Sequence, residues 1–277
     1  MKKSKKSEAS LKTEKSGKKS SKVKKELNHG ITGNGTDYTV YVMSTGQKAM
    51  AMLAGFVIGF GASYIYFGIM ALGIIIGLIL GVKAISVYRA MLFKKRWKEL
   101  RIQFRDLLES LSNSYTVGMT ASRAFKEAYE DMKVEHGDKS YIAEELKLIC
   151  SAYENQGIEI KEMIKDFSQR SGLEDARSFA GVFDVATDLG GDIAKVIRES
   201  RDMIGDKIEV ELEIQTMVTG QRNQLNILAI MPLVISVLLR CFNLGTISAM
   251  VIIVKLVALA LFVFAYWLGT KIVDIKV

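Results

Sequence analysis

Few residues of this chain have the types and spacing that catalysis or metal binding requires. The two histidines are far apart, His29 in a lysine-rich leader and His136 in a predicted loop, and no pair of residues has the spacing of metal ligands. No glycine-rich loop ends in Gly-Lys-Ser or Gly-Lys-Thr, and no serine lies in a nucleophile elbow. We therefore expect that the chain is not an enzyme, that it does not hydrolyse ATP, and that it binds no cofactor and no metal.

Three aspartates form the most regular group of ionisable residues. Asp184, Asp188 and Asp192 recur every four positions, as carboxylates do along one face of a helix. The series crosses Gly190 and Gly191, which are expected to break the helix, and it has no histidine partner. We interpret these aspartates as a solvated polar face rather than as an acid–base site.

The same segment contains the corner around which the rest of the chain is organised. Apolar residues recur at three- and four-residue steps on both sides of the two glycines, which predicts two amphipathic helices. These residues are Ala176, Phe179, Ala180, Phe183, Ile193, Val196, Ile197, Ile204 and Ile208. Gly190 can adopt the left-handed conformation that ends a helix, and Asp192 can cap the next helix. On spacing alone, a generic helical hairpin also explains the corner.

Long apolar segments flank this region and predict an integral membrane protein. No charged residue lies between Lys48 and Lys83, and one helix over these residues would be about 50 Å long, against about 30 Å of membrane hydrocarbon. Two spans with a turn near residues 66–68 fit better, and a single strongly tilted helix is the alternative. A second apolar region, from Leu225 to Leu268, predicts a third and a fourth span.

Two residues in the second apolar region are unusual for a membrane span. Pro232, the only proline of the chain, removes a backbone hydrogen bond and can kink the third span. Lys255 lies in the fourth span, where a charge is costly. Its side chain either extends to the membrane interface or serves a function within the membrane.

Glycines recur four residues apart in the first two spans. Gly55 and Gly59 lie in the first, and Gly73, Gly77 and Gly81 lie in the second. Rows of small residues allow helix backbones to approach closely within a membrane. Either the two spans pack on each other, or one glycine face pairs with another chain.

The net charge of +8 is due to the leader, whose first 25 residues hold eleven lysines and two glutamates. Residues 1–47 are predicted to form a disordered basic tail, which is either solvated or attached to anionic lipid. A second basic cluster, residues 83–98, follows the second span, and Lys271 and Lys276 follow the fourth, so both chain termini are expected in the cytoplasm. Residues 106–221 are acidic, which argues against nucleic-acid binding.

Between the membrane segments the sequence predicts six helices and no strand. Apolar stripes at helical spacing alternate with breaks that contain glycine or a capping residue, and Cys150 lies on one stripe as a small core residue. The sixth helix can continue directly into the third span. We therefore expect an all-α integral membrane protein, in which two transmembrane helical hairpins flank a six-helix cytoplasmic bundle. Its parts are a basic tail (1–47), a hairpin of two spans (48–88), the helical domain (89–221), and a second hairpin with a short tail (222–277).

The order of these parts and several short motifs resemble the F-domain family of type II secretion, specifically the single-domain inner-membrane platform proteins of tight-adherence (Flp) pili. The matching motifs are Leu107 to Leu111 followed by Val117 to Thr120, Gly190 to Ile193 followed by Arg198 and Arg201, Pro232, and Leu268 with Gly269. The chain differs from many relatives in its lysine-rich leader and in the lack of prolines around the first helix of the domain.

The resemblance implies a non-enzymatic platform that lies in the inner membrane between a cytoplasmic hexameric ATPase and the pilin subunits. A single F domain implies a partner copy, either a second identical chain or a related F-domain protein. On this hypothesis, a structural joint is formed by Gly190, Gly191, Asp192 and Pro232. The residues that face a partner are then Asp184, Asp188, Arg198 and Arg201.

The residues alone also allow two other functions. A small membrane transporter or channel would use Lys255 and the kink at Pro232. A membrane-anchored signalling scaffold would depend on the basic tail.

Overall fold

A computed structural model describes residues 30–241 and 249–273 of the chain. Every regular element within these ranges is an α-helix, which confirms the predicted all-α class. The helices are α1 (Thr45–Phe67), α2 (Met70–Thr116), α3 (Ala121–His136), α4 (Tyr141–Gln156), α5 (Ile160–Ser171), α6 (Glu174–Leu189), α7 (Ile193–Cys241) and α8 (Ala249–Val273). The predictions for the leader up to His29, for the side chain of Lys255 and for Lys276 lie outside the described residues.

A glycine turn separates the first two helices. Before α1, the Ser44 N–H donates to Oε1 of Gln47 at 3.1 Å, which satisfies one backbone donor at the helix start. After α1, Gly68 adopts a left-handed conformation with φ of 76°, and its N–H donates to the Tyr64 carbonyl at 2.9 Å. The predicted turn near residues 66–68 is therefore confirmed, and the alternative of one tilted helix is wrong. Both α1 and α2 are long and apolar enough to span a membrane.

α2 does not end where the predicted membrane span ends. The sequence predicts that the first hairpin ends at residue 88 and that a separate helical domain begins at residue 89, but α2 continues over 47 residues without a break. The change from apolar to basic composition was the sole basis for a boundary at residues 88–89. No glycine or proline lies between Lys83 and Thr116, so the backbone has no local reason to leave the helix.

The chain divides into two compact units. Of the described residues, the helical unit comprises those up to Tyr41 and Phe93–Gly205, and the apolar unit comprises Val42–Leu92 and those from Asp206 onwards. Within the helical unit, α3 packs on α4, α4 on α5, and α5 on α6.

The core of the helical unit follows the predicted apolar stripes. Fully or nearly fully buried side chains include Leu100, Phe104, Leu108, Leu111, Phe125, Met132, Ile142, Leu146, Met163, Phe167, Phe179 and Phe183. Tyr153, which the same periodicity places on the core face of α4, is instead 42% exposed. Cys150 is half-buried, and burial raises the pKa of its thiol to about 11, so it is a poor nucleophile at neutral pH.

A buried ionic network surrounds Arg170 at the end of α5. Its guanidinium donates to both carboxylate oxygens of Glu145, at 2.8 and 2.7 Å, and to Oδ2 of Asp166 at 2.7 Å. The three side chains are between 3 and 8% exposed. Burial alone would lower the pKa of Arg170. The hydrogen bonds and the negative charges of Glu145 and Asp166 have a larger effect and raise this pKa, so Arg170 remains charged.

Residues 30–41 pack onto this network, in contrast to the disordered tail predicted for residues 1–47. The Tyr38 N–H donates to the Arg170 carbonyl at 2.9 Å, and the Tyr38 hydroxyl donates to Oε1 of Glu145 at 3.0 Å. The Ile31 N–H donates to Oδ1 of Asp166 at 3.0 Å. The pKa of Tyr38 is raised, mainly by burial. Its hydroxyl therefore stays protonated and can donate a hydrogen bond. The composition of this segment is polar, but its attachment depends on partners more than a hundred residues away.

Candidate functional site

The corner between α6 and α7 has the local geometry that the sequence predicts. α6 ends at Leu189, and Gly190 adopts the left-handed conformation with φ of 71°. The Gly191 N–H donates to the Ala186 carbonyl at 2.8 Å, which satisfies a backbone acceptor at the helix end. Oδ1 of Asp192 accepts from the Lys195 N–H at 3.0 Å, so Asp192 caps α7. The predicted roles of Gly190 and Asp192 in the turn are confirmed.

The three aspartates near the corner have different environments. Asp188 is paired with Lys161 of α5, whose Nζ lies 2.6 Å from Oδ1 of Asp188. Hydrogen bonds to Asp188 and to Glu159 raise the pKa of Lys161 above its usual value. Asp192 is engaged as the helix cap, and Asp184 is half-buried on α6. The three carboxylates therefore have separate environments and do not converge on a common point.

The two arginines that follow the corner contact the end of α2. Nη2 of Arg198 donates to Oγ1 of Thr116, the last residue of α2, at 3.3 Å. Arg201 pairs with its neighbour Asp202 at 2.6 Å and lies 4.0 Å from Oε1 of Glu109. Both guanidinium groups thus link the first turns of α7 to α2, and the exposed side of Arg198 is still accessible to a partner.

α7 is a single helix of 49 residues from the corner to Cys241, so the predicted continuation of the sixth helix is confirmed. Pro232 lies inside this helix without ending it. The Ser236 hydroxyl donates to the Pro232 carbonyl, one turn earlier in the helix, at 2.8 Å.

The glycine rows of the apolar unit lie between α1 and α2. A Cβ atom added at Gly55 would lie 2.5 Å from Cβ of Ala84 and 3.1 Å from Cα of Gly81. One added at Gly59 would lie 3.2 Å from Cα of Gly77, and one added at Gly73 would lie 3.1 Å from the Phe60 ring. Of the two alternatives from the sequence, the structure therefore has the glycine faces packed within the hairpin.

One group of ionisable residues is close in space although the sequence gives no sign of it. Asp106 of α2, with Glu135 and His136 at the end of α3, each place one potential ligand atom within 4.8 Å of the others. His136 is the last residue of α3 and not part of a loop, which corrects the expectation from the sequence. Since 30 residues separate Asp106 from His136, no spacing motif relates them.

Replacing Gly190 with valine should lower the free energy of unfolding of the helical unit by about 1–2 kcal/mol, because a β-branched residue is strained in the left-handed conformation. Gly181→Val is the matched control, since Gly181 lies within α6, has no positive φ, and has open space around its Cβ position. Urea unfolding of both variants, followed by tryptophan fluorescence, measures the difference. Equal midpoints would show that the corner does not depend on glycine.

Comparisons of the chain with family models, with curated proteins and with solved structures find no match.

Proposed function

We propose that this chain is an inner-membrane platform protein of a pilus-assembly or type II secretion-like machine, which couples a cytoplasmic ATPase to the insertion or extraction of pilin. The observation that carries the proposal is the corner from Gly190 to Ile193. Its sequence is similar to a motif of the F-domain family, and it forms a glycine helix end followed by a capped, 49-residue helix. The chain itself performs no catalysis in this proposal.

Membrane insertion of the apolar unit is supported by the surface of α1 and α2. Both helices are long and apolar enough to cross a bilayer. Leu53 and Ile58 expose 66 and 71% of their surface, and a continuous apolar helix face of this kind is more stable in lipid than in water. We assign both termini to the cytoplasm, which the basic residues that follow Lys83 favour by the positive-inside rule. The proposed topology has two transmembrane hairpins in the inner membrane.

The helical unit is the proposed six-helix cytoplasmic bundle that receives the ATPase. Its excess of acidic residues favours a partner with a basic face, because charge complementarity increases association rate and specificity. Asp184 is the aspartate most available for such a contact, since no hydrogen bond or ion pair joins it to another described residue. Asp188 and Asp192 are engaged by Lys161 and by the start of α7.

In the proposed mechanism, α7 transmits movement of the ATPase towards the membrane. α7 begins at the corner and continues past Pro232 to Cys241 without a break. Because a continuous helix is stiffer than two helices joined by a loop, it can transmit such a movement. If the corner acts as the joint, Gly190→Val should also lower pilus output in cells, whereas Gly181→Val should not.

A second F-domain chain, either identical or related, completes the proposed assembly, and lipid surrounds the apolar unit. Because α1 and α2 already use their glycine faces against each other, we assign the contact between copies to the helical unit rather than to those faces.

Reversing one charge on α6 tests the proposed contact with the ATPase. Asp184→Lys should reduce copurification of the ATPase from membranes roughly tenfold or more, because a like charge at an interface costs several kcal/mol. Glu127→Lys is the matched control: Glu127 is exposed on α3, and the substitution makes the same change of charge. If Asp184→Lys leaves the amount of copurified ATPase unchanged, this result would contradict the proposed acidic contact. Failure of the unaltered chain to retain any secretion-type ATPase would contradict the platform function itself.

A further inference from the structure

An acidic depression lies on the helical unit between α2 and the end of α3. It has a volume of about 480 Å³ and opens to solvent. Its lining includes four carboxylates, Asp106, Glu109, Asp131 and Glu135, together with Ser110 and Asn113. Asp131 accepts a hydrogen bond from the Ser110 hydroxyl at 2.6 Å. Because this hydroxyl is neutral, it does not compensate the negative charge of the Asp131 carboxylate. A concentration of negative charge in a depression attracts cations.

At the edge of this depression, two of the carboxylates meet the imidazole of His136. Nε2 of His136 lies 3.0 Å from Oδ2 of Asp106. Asp106, Glu135 and His136 each place one potential ligand atom within 4.8 Å of those of the other two residues. The other carboxylate oxygen of Asp106, Oδ1, accepts from the guanidinium of Arg105 at 2.6 and 2.9 Å. Arg105 therefore orients the Asp106 carboxylate while Oδ2 remains directed towards His136.

The three groups differ in mobility in a way that suits metal binding. The side chains of Asp106 and His136 are only 8 and 19% exposed, so packing holds them in place. Glu135 is exposed and can change rotamer. Two ligands of one tetrahedral ion, each bound at about 2.0–2.2 Å, lie roughly 3.4 Å apart. Asp106 and His136 are already near that separation, and a change of rotamer at Glu135, whose ligand atom lies within 4.8 Å, brings its carboxylate to the same distance.

We propose that Nε2 of His136, Oδ2 of Asp106 and the carboxylate of Glu135 bind one divalent transition-metal ion of the zinc class, which links α2 to α3. The ion takes the place of the hydrogen between Nε2 and Oδ2, and the imidazole proton then resides on Nδ1. A nitrogen ligand favours zinc and its neighbours over magnesium and calcium, which prefer oxygen ligands alone. Water from the open depression completes the coordination.

This proposal is independent of the platform function, because it depends only on the cluster of three residues. It also explains why the sequence predicts no metal site. The ligands come from two helices and are separated by 30 residues, and the adjacent pair, Glu135 and His136, has no recognised metal-ligand spacing.

Metal titration of the full chain tests the proposal. The protein is purified in detergent with a tag that contains no histidine, treated with a chelator, and titrated with Zn²⁺ by calorimetry and with Co²⁺ by visible absorption. One ion should bind per chain, millimolar Ca²⁺ should not displace it, and His136→Gln and Glu135→Gln should each raise the Kd roughly tenfold or more. Glu130→Gln should leave the Kd unchanged, since Glu130 lies on α3 and pairs with Lys133 outside the cluster.

The outcomes separate clearly. A Kd for Zn²⁺ that rises roughly tenfold or more in both cluster variants and stays unchanged in Glu130→Gln supports the site. No binding of Zn²⁺ at micromolar concentration, or equal Kd values for His136→Gln and the unaltered chain, would overturn it. If His136→Gln loses helical circular dichroism, Glu135→Gln decides alone, because the exposed Glu135 side chain is not required for packing.

Discussion

Replacing Arg170 with methionine should lower the free energy of unfolding of the helical unit by about 3–5 kcal/mol. Methionine fills much of the same volume but carries no charge, so Glu145 and Asp166 would remain buried without a cation. Removing one partner of a buried ion pair leaves a desolvated charge, which is far more destabilising than the loss of an exposed pair. The loss is a large share of the 5–15 kcal/mol that stabilises a typical domain.

Residues 30–41 should be released from the helical unit in the same variant. Nη1 of Arg170 donates to the Thr36 carbonyl at 3.0 Å, and a Cβ atom at Gly35 would overlap the guanidinium. Residues 30–41 therefore fit closely around this side chain. Without the guanidinium, hydrogen exchange at the Tyr38 amide, whose N–H donates to the Arg170 carbonyl, should become much faster.

A single fluorophore can isolate unfolding of the helical unit. The chain has two tryptophans, and Trp97 lies in the helical unit, so urea unfolding in a Trp267→Phe background reports this unit through Trp97. Arg177→Met is the matched control, since Arg177 is exposed on α6 and loses the same charge. A difference between the two variants below about 1 kcal/mol would show that the network is solvated and behaves as a surface ion pair.

Replacing Gly55 with leucine should separate α1 from α2 and destabilise the apolar unit by about 1–3 kcal/mol, or roughly 2–12 °C in Tm. A side chain at this position meets Ala84 and the backbone of Gly81, neither of which can move aside as a flexible side chain does. Since the helix backbones are in direct contact, the overlap is relieved only by moving one helix away from the other.

Gly61→Leu provides the control for this prediction. Gly61 lies on the same helix six residues later, and a Cβ atom added there meets nothing within 4 Å. Its Tm in detergent should stay within about a degree of the unaltered protein. If Gly55→Leu instead leaves Tm unchanged and abolishes an oligomer, the glycine face pairs two chains, and the packing within the hairpin is not the important contact.

Elements with local signals were predictable from the sequence. Gly68 and Gly190 mark helix ends because glycine adopts the left-handed conformation without strain, and both do so. The apolar stripe that contains Phe104 and Leu108 identifies a core face because helical periodicity depends only on neighbouring residues. The same reasoning identified the Asp192 cap, whose partner is three residues away.

Elements that depend on distant partners were not predictable. Tyr38 lies in a segment whose polar composition predicts disorder. Its hydrogen-bond partner Glu145 is 107 residues away in the sequence, so no local pattern indicates the contact. Asp106 and His136 meet only because two helices place them together. The continuity of α2 was missed for another reason: the basic residues after Lys83 indicate a change of environment, which a helix can cross without ending.

The attachment of residues 30–41 to the network around Arg170 determines when this segment becomes ordered during protein synthesis. Tyr38 leaves the ribosome before α1 and the apolar half of α2, whereas Glu145, Asp166 and Arg170 are made only after both. At typical elongation rates, the 107 residues between Tyr38 and Glu145 take roughly 5–20 s. For that interval residues 30–41 have none of their final contacts, although α1 and the apolar half of α2 have already been synthesised. Residues 30–41, which are synthesised before the rest of the helical unit, are thus among its last residues to become ordered.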